Sequence, residues 1–168
     1  FIGGTNLRLV KGIDRFSEYL DFDCKQMSEQ EFVEMTDAVI SFLQKSGLNV
    51  VARDKANAKL TAFRRNIFFP EFLFELGLSG HKEERFLLKI EAQDQETDYP
   101  IEMKYVQRCG FFFSLPTPPD SVLLAMKFSA LLARAKGRDF YDTMFLMQQA
   151  KPSYSFLRER IGIATPEQ

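Results

Sequence analysis

The sequence predicts an α+β fold: a mixed sheet with flanking helices, followed by a C-terminal helical part. Three observations carry that expectation. Short runs of strand-like residues recur between Tyr19 and Leu115, and a capping pattern opens a long amphipathic helix after the first of them. Pro116-Thr117-Pro118-Pro119-Asp120 then breaks the chain more strongly than any other segment. Beyond it only helical periodicity remains. The predicted division is an α/β core over residues 1–115 and a helical part over 116–168, packed on that core.

Phe1 to Gly4 reads as the end of a strand running into a Gly-Gly turn, with Thr5 to Val10 turning helically behind it. Because Phe1 already lies inside an apolar segment, a preceding N-terminal piece is expected. Tyr19-Leu20-Asp21-Phe22-Asp23 alternates with period two, so residues 19, 21 and 23 share one face while Leu20 and Phe22 point to the core. Ser28 with Glu31 predicts a capped helix to about Ser46, with an apolar stripe of Phe32, Met35, Val39, Phe42 and Leu43, and Gly47 at its C-terminal cap. Strands are expected at Leu48 to Ala52, Thr61 to Phe69, Arg85 to Gln93, Ile101 to Val106 and Phe111 to Leu115, whereas Glu71 to Leu76 is ambiguous. In Phe111-Phe112-Phe113 alternate rings would be buried, leaving at least one in need of cover. Helices follow at Ser121 to Lys136, Asp139 to Ala150 and Ser153 to Ile161.

Composition narrows the function classes. The 22 Lys and Arg nearly balance the 23 Asp and Glu, so a whole-chain basic footprint for nucleic acid is absent and any RNA contact needs a local patch. Two cysteines and one histidine exclude a disulfide framework and a multi-histidine metal site. Reduced thiols point to the cytoplasm, and the lack of a long apolar run argues against a membrane span.

Several residues have the chemistry for a site. Gly3-Gly4-Thr5 lets backbone N–H groups approach a phosphate, although two glycines alone are better read as a plain tight turn. Asp21 and Asp23 lie roughly 6.5–7 Å apart along one strand face, suited to cations or to a solvated edge. Glu91, on another strand, adds a hard oxygen ligand of the kind magnesium takes. Lys127 and Arg134 fall on one helical stripe that would grip a triphosphate or snorkel over a buried face. In Arg138-Asp139-Phe140-Tyr141-Asp142 one reading has Asp139 capping its helix and pairing with Arg138.

Taken together the motifs resemble the AbiEii/AbiGii toxin family. Gly3-Gly4-Thr5-Asn6-Leu7 and Arg15-Phe16-Ser17-Glu18-Tyr19-Leu20-Asp21 are similar to its Gly-Gly-Thr-x-Leu and Arg-x-Ser-x-Asp-Leu-Asp patterns. Lys127-Phe128-Ser129-Ala130 and Arg138-Asp139-Phe140-Tyr141-Asp142 resemble its Lys-x-x-Ala and Arg-Asp-x-Tyr-Asp motifs, and Lys89-Ile90-Glu91 falls at its third acidic strand position. The resemblance implies a DNA-polymerase-β-like nucleotidyltransferase fold, a metal-dependent transfer from a nucleoside triphosphate to the 3′ end of tRNA, and a separately encoded antitoxin. It implies that Gly3, Gly4 and Thr5, with Ser17, hold the nucleotide. Asp21 and Glu91 would bind magnesium in a two-metal site, Lys127 would contact phosphates, and Asp142 would complete the catalytic set. Helical geometry adds Arg134 to the nucleotide contacts, and strand parity adds Asp23 to the metal ligands.

The sequence departs from the family at Tyr19, where the first aspartate of the Asp-x-Asp pair would fall. A phenol stays protonated at neutral pH and is a poor magnesium ligand. Three readings follow: an active transferase, an impaired nucleotide- or RNA-binding homologue, and a protein whose acidic face docks a partner.

Overall fold

The computed structural model describes residues 1–53 and 62–167. In chain order the elements are α1 (Gly3–Asn6), continued by a π-helical turn at Leu7–Lys11, then β1 (Tyr19–Asp23), α2 (Glu29–Lys45), β2 (Val51–Ala52) and β3 (Phe63–Phe69). They continue through α3 (Phe72–Glu75), β4 (Phe86–Gln93), β5 (Glu102–Arg108), β6 (Phe111–Thr117), α4 (Asp120–Arg134), α5 (Gly137–Met147) and α6 (Tyr154–Ile161). The fold is α+β, with a four-stranded mixed sheet ordered β1-β4-β3-β2 and a separate β5–β6 hairpin. Residues Glu18–Gln95 form one compact unit, and Phe1–Ser17 together with Glu96–Gln168 form another.

The unit of residues 18–95 is a sheet with one helix on its apolar face. β1 runs parallel to β4, while β3 is antiparallel to both β4 and β2. Period two then sorts the strands: Leu20, Phe22, Ile67, Phe69, Ile90 and Ala92 pack with Phe32 and Ile40 of α2. The opposite parity collects Tyr19, Asp21, Asp23, Arg64, Asn66, Lys89 and Glu91 on a polar face. The helix begins where expected, since Ser28 and Glu31 form a reciprocal capping box, and Gly47 follows it in the left-handed region.

The expected stripe of α2 needs correction. Met35, Val39 and Phe42 are exposed, and the buried face is Phe32, Thr36 and Ile40. Thr36 fits there because its hydroxyl donates to the carbonyls of Phe32 and Val33, which satisfies the group without water. Of the strand expected from Thr61, residue 61 lies outside the described residues, and β3 begins at Phe63. The ambiguous segment after Pro70 is the short helix α3.

In the other unit, α4 carries the cores. Leu123 and Leu124 join Leu7, Ile13 and Leu146, while Val122 and Ala125 pack with Phe156 and Leu157 of α6. The buried amide of Asn6 donates from Nδ2 to Phe1 O and to Thr117 Oγ1, both at 2.8 Å, tying α1 to the end of β6. β6 runs two residues further than the sequence suggests, through Pro116 and Thr117. Phe111, Phe112 and Phe113 are all exposed rather than alternately buried. Tyr105 and Phe112 stack on the hairpin with centroids 5.8 Å apart. Among the described residues no helix is long and apolar enough to cross a membrane.

Candidate functional site

In the unit of α1 and the C-terminal helices, a buried charge cluster organises the predicted residues. Asp142 on α5 is fully buried and accepts hydrogen bonds from Arg15 Nε at 2.5 Å and Arg15 Nη2 at 2.6 Å. Lys127 Nζ of α4 lies 2.7 Å from the same carboxylate. Burial alone would push the Asp142 carboxyl up, but the Arg15 hydrogen bonds and the Lys127 charge outweigh it and hold the group below its usual value. One carboxylate between the buried Lys127 and the partly buried Arg15 leaves the cluster with a surplus of positive charge, which suits an anion.

Gly4 lies directly beside this cluster. A Cβ there would come within 2.6 Å of Arg15 Nη2 and 2.8 Å of Ser17 Oγ, so the guanidinium and hydroxyl occupy space that a side chain would take. Gly3 adopts φ +76, in the region that favours glycine. Thr5 Oγ1 donates to Ser17 Oγ at 2.8 Å. Gly4 and Asp142 therefore meet at Arg15, a residue whose role no motif announces, with Ser17 and Thr5 beside Gly4 and Lys127 on the same carboxylate. Arg15 and Asp142 lie 127 positions apart, and no periodicity links the two.

Arg134 is committed locally. Its Nε and Nη2 donate to the two oxygens of Asp139 at 2.9 and 2.8 Å, across the Ala135 turn that adopts φ +46. Asp139 also accepts the Lys136 N–H in a capping arrangement, so its ion-pair partner is Arg134 and not the expected Arg138. Burial raises the Asp139 carboxyl, and Arg134 more than offsets it, leaving the group below its usual value.

In the unit of the four-stranded sheet, Asp21 of β1 stands opposite Glu91 of β4 in parallel register, on the polar face. Arg64 stands opposite Glu91 from β3 and brings Nε within 2.7 Å of Glu91 Oε1. That distance makes an ion pair, yet the buried Oε1 makes no hydrogen bond, so we read the contact as coulombic with acceptor capacity left on the carboxylate. Asp23 Oδ1 accepts the Gln95 N–H at 3.0 Å, which turns it to the loop after β4. Opposite Tyr19 stands Lys89, whose Nζ donates to the phenol oxygen at 2.9 Å and lies 4.5 Å from the ring centroid.

Asp21 and Glu91 are of the donor type that magnesium takes, and the register sets them side by side. Magnesium commonly takes one or two carboxylates and completes its octahedron with water and substrate phosphates. Among the described residues no group of three His, Cys, Asp or Glu side chains is placed to share an ion.

No curated protein and no solved structure matches the chain. The family described as nucleotidyl transferase AbiEii toxin, type IV toxin–antitoxin system, matches residues 1–162, and the chain belongs to it.

Proposed function

We propose that the chain transfers a nucleotide from a nucleoside triphosphate to an RNA acceptor, the 3′ end of a tRNA, as a cytoplasmic toxin countered by a separately encoded antitoxin. Family membership supports nucleotidyl transfer in general. The observation that carries the reading is the in-register pair Asp21 and Glu91. Those two carboxylates would hold magnesium, which when bound supplies neutralising charge to the phosphates. Gly3, Gly4, Thr5 and Ser17 would receive the triphosphate, since Gly4 permits close backbone approach and Ser17, which accepts from Thr5, keeps its own hydroxyl proton to donate. Lys127 and Arg15 would contact phosphate oxygens. Asp142, buried beneath both cations, acts as a positioning residue that fixes their geometry.

A second reading, a binding homologue without turnover, rests on Tyr19 holding Lys89 where a metal-binding aspartate is expected. The deciding experiment incubates the protein with magnesium, each labelled nucleoside triphosphate in turn, and total RNA. Transfer is expected, and it should vanish with EDTA and in Asp21→Ala while the variant stays folded. Absence of label with a nucleotide-induced rise in Tm favours the binding homologue, and absence of both overturns the proposal.

A further inference from the structure

The Tyr19–Lys89 pair is more than a lost ligand. Register places it one pleat before Asp21 and Glu91, and strand parity puts all four side chains on one face, with the two rows roughly 6.5–7 Å apart. A lysine on an exposed strand face ordinarily extends its ammonium into water. Here the ammonium is retained over the sheet by two contacts with one side chain, the phenol oxygen at 2.9 Å and the ring at 4.5 Å. An ammonium has three donors, and only one is used on Tyr19.

The charges of this face complete the argument. The carboxylates of Asp21, Asp23 and Glu91 outnumber by one the cations of Lys89 and Arg64 before any ion arrives. One divalent cation would give the face the surplus of positive charge that a triphosphate requires. A second would sit about 4 Å from the first, beside the Lys89 ammonium, and would find a phenol where it needs a carboxylate. Asp23 does not replace that ligand, since it stands on the far side of Asp21 from Tyr19.

We infer that Lys89, held by Tyr19, supplies from the protein the positive charge that a second metal ion would bring, so that the centre takes one divalent cation per bound nucleotide. The inference rests on the transferase reading above. The two remaining N–H donors of Lys89 serve phosphate oxygens of the triphosphate.

The test counts ions rather than turnover. Manganese is titrated into the full chain with a saturating non-hydrolysable nucleoside triphosphate analogue, and bound ion is measured by electron paramagnetic resonance. One manganese per chain is expected. Lys89→Met should weaken analogue binding at least tenfold with the count still one, and Tyr19→Asp combined with Lys89→Met should raise the count to two. Thermal melts establish that each variant is folded; if the double variant is not, the wild-type count and Lys89→Met decide. Two ions in the wild type, unchanged analogue affinity in Lys89→Met, or one ion in a folded double variant would each overturn the inference. Failure of the analogue to bind with or without manganese overturns the transferase reading together with it, whereas analogue binding with two ions overturns this inference alone.

Discussion

Two clusters in this molecule mix carboxylates with cations, and they are built on opposite terms. Around Asp142 a single anion faces Arg15 and Lys127, all three largely removed from water, with contacts of 2.5–2.7 Å. On the polar face of β1, β3 and β4, Asp21, Asp23 and Glu91 meet Lys89 and Arg64, and these groups are half-buried or exposed. In the first cluster the folded state has already committed the charges to one another, and removing one strands the rest in a medium that solvates them poorly. In the second, water still reaches the groups, so the fold depends little on any one of them. The buried cluster positions groups, and the half-open face is free to exchange its charges with a ligand.

That contrast sets the order of expected effects. The largest belongs to Asp142→Ala, which leaves the buried Lys127 and the partly buried Arg15 without their anion and should cost about 3–5 kcal/mol, read from urea denaturation. A loss under about 1 kcal/mol would show that the cluster is solvated and does not behave as a buried unit.

Acid should expose the same group more gently. The folded Asp142 carboxyl titrates below its unfolded counterpart, whose value is about 3.9. Its contribution to stability is therefore fully present above the unfolded value and is lost as pH falls through the folded one. Stability measured from pH 6 downward should hold until about pH 4 and then decline. Asp142→Asn should flatten that decline, and an unchanged slope would assign the acid sensitivity to other carboxylates.

The smallest effect on folding is expected at Asp21. Asp21→Ala on the half-open face should shift stability by no more than about 0.5–1 kcal/mol while removing nucleotide transfer. A loss of several kcal/mol there would erase the distinction between the two clusters.

Local chemistry made much of the fold legible. Ser28 and Glu31 announced the start of α2 because a capping box is written within four residues. Tyr19, Asp21 and Asp23 fell on one face because strand parity is a property of the chain itself. The exposed Met35, Val39 and Phe42 were misread because hydrophobicity alone cannot foresee that Thr36 buries its hydroxyl against its own helix. The candidate site divides in the same way. Asp21 and Glu91 were legible as strand residues, yet their register depends on how β4 adds beside β1. The role of Arg15 was invisible, since its meeting with Asp142 is made by tertiary packing and by no local rule. The Arg134–Asp139 pair was missed for a smaller reason: Ala135 reverses the chain and brings together residues that a continuous helix would separate.

The β5–β6 hairpin has a consequence of another kind. As a two-stranded sheet each of its strands has a strand neighbour on one side only, although near the end of β6 Pro116 O accepts from the Phe1 amino group. Met103, Tyr105, Phe111 and Phe112 add uncovered apolar surface to those edges. A foreign strand meeting this ribbon finds main-chain partners and greasy purchase at once. Handling of the protein in concentrated solution will thus be governed less by how firmly it folds than by how well this ribbon is kept from its neighbours.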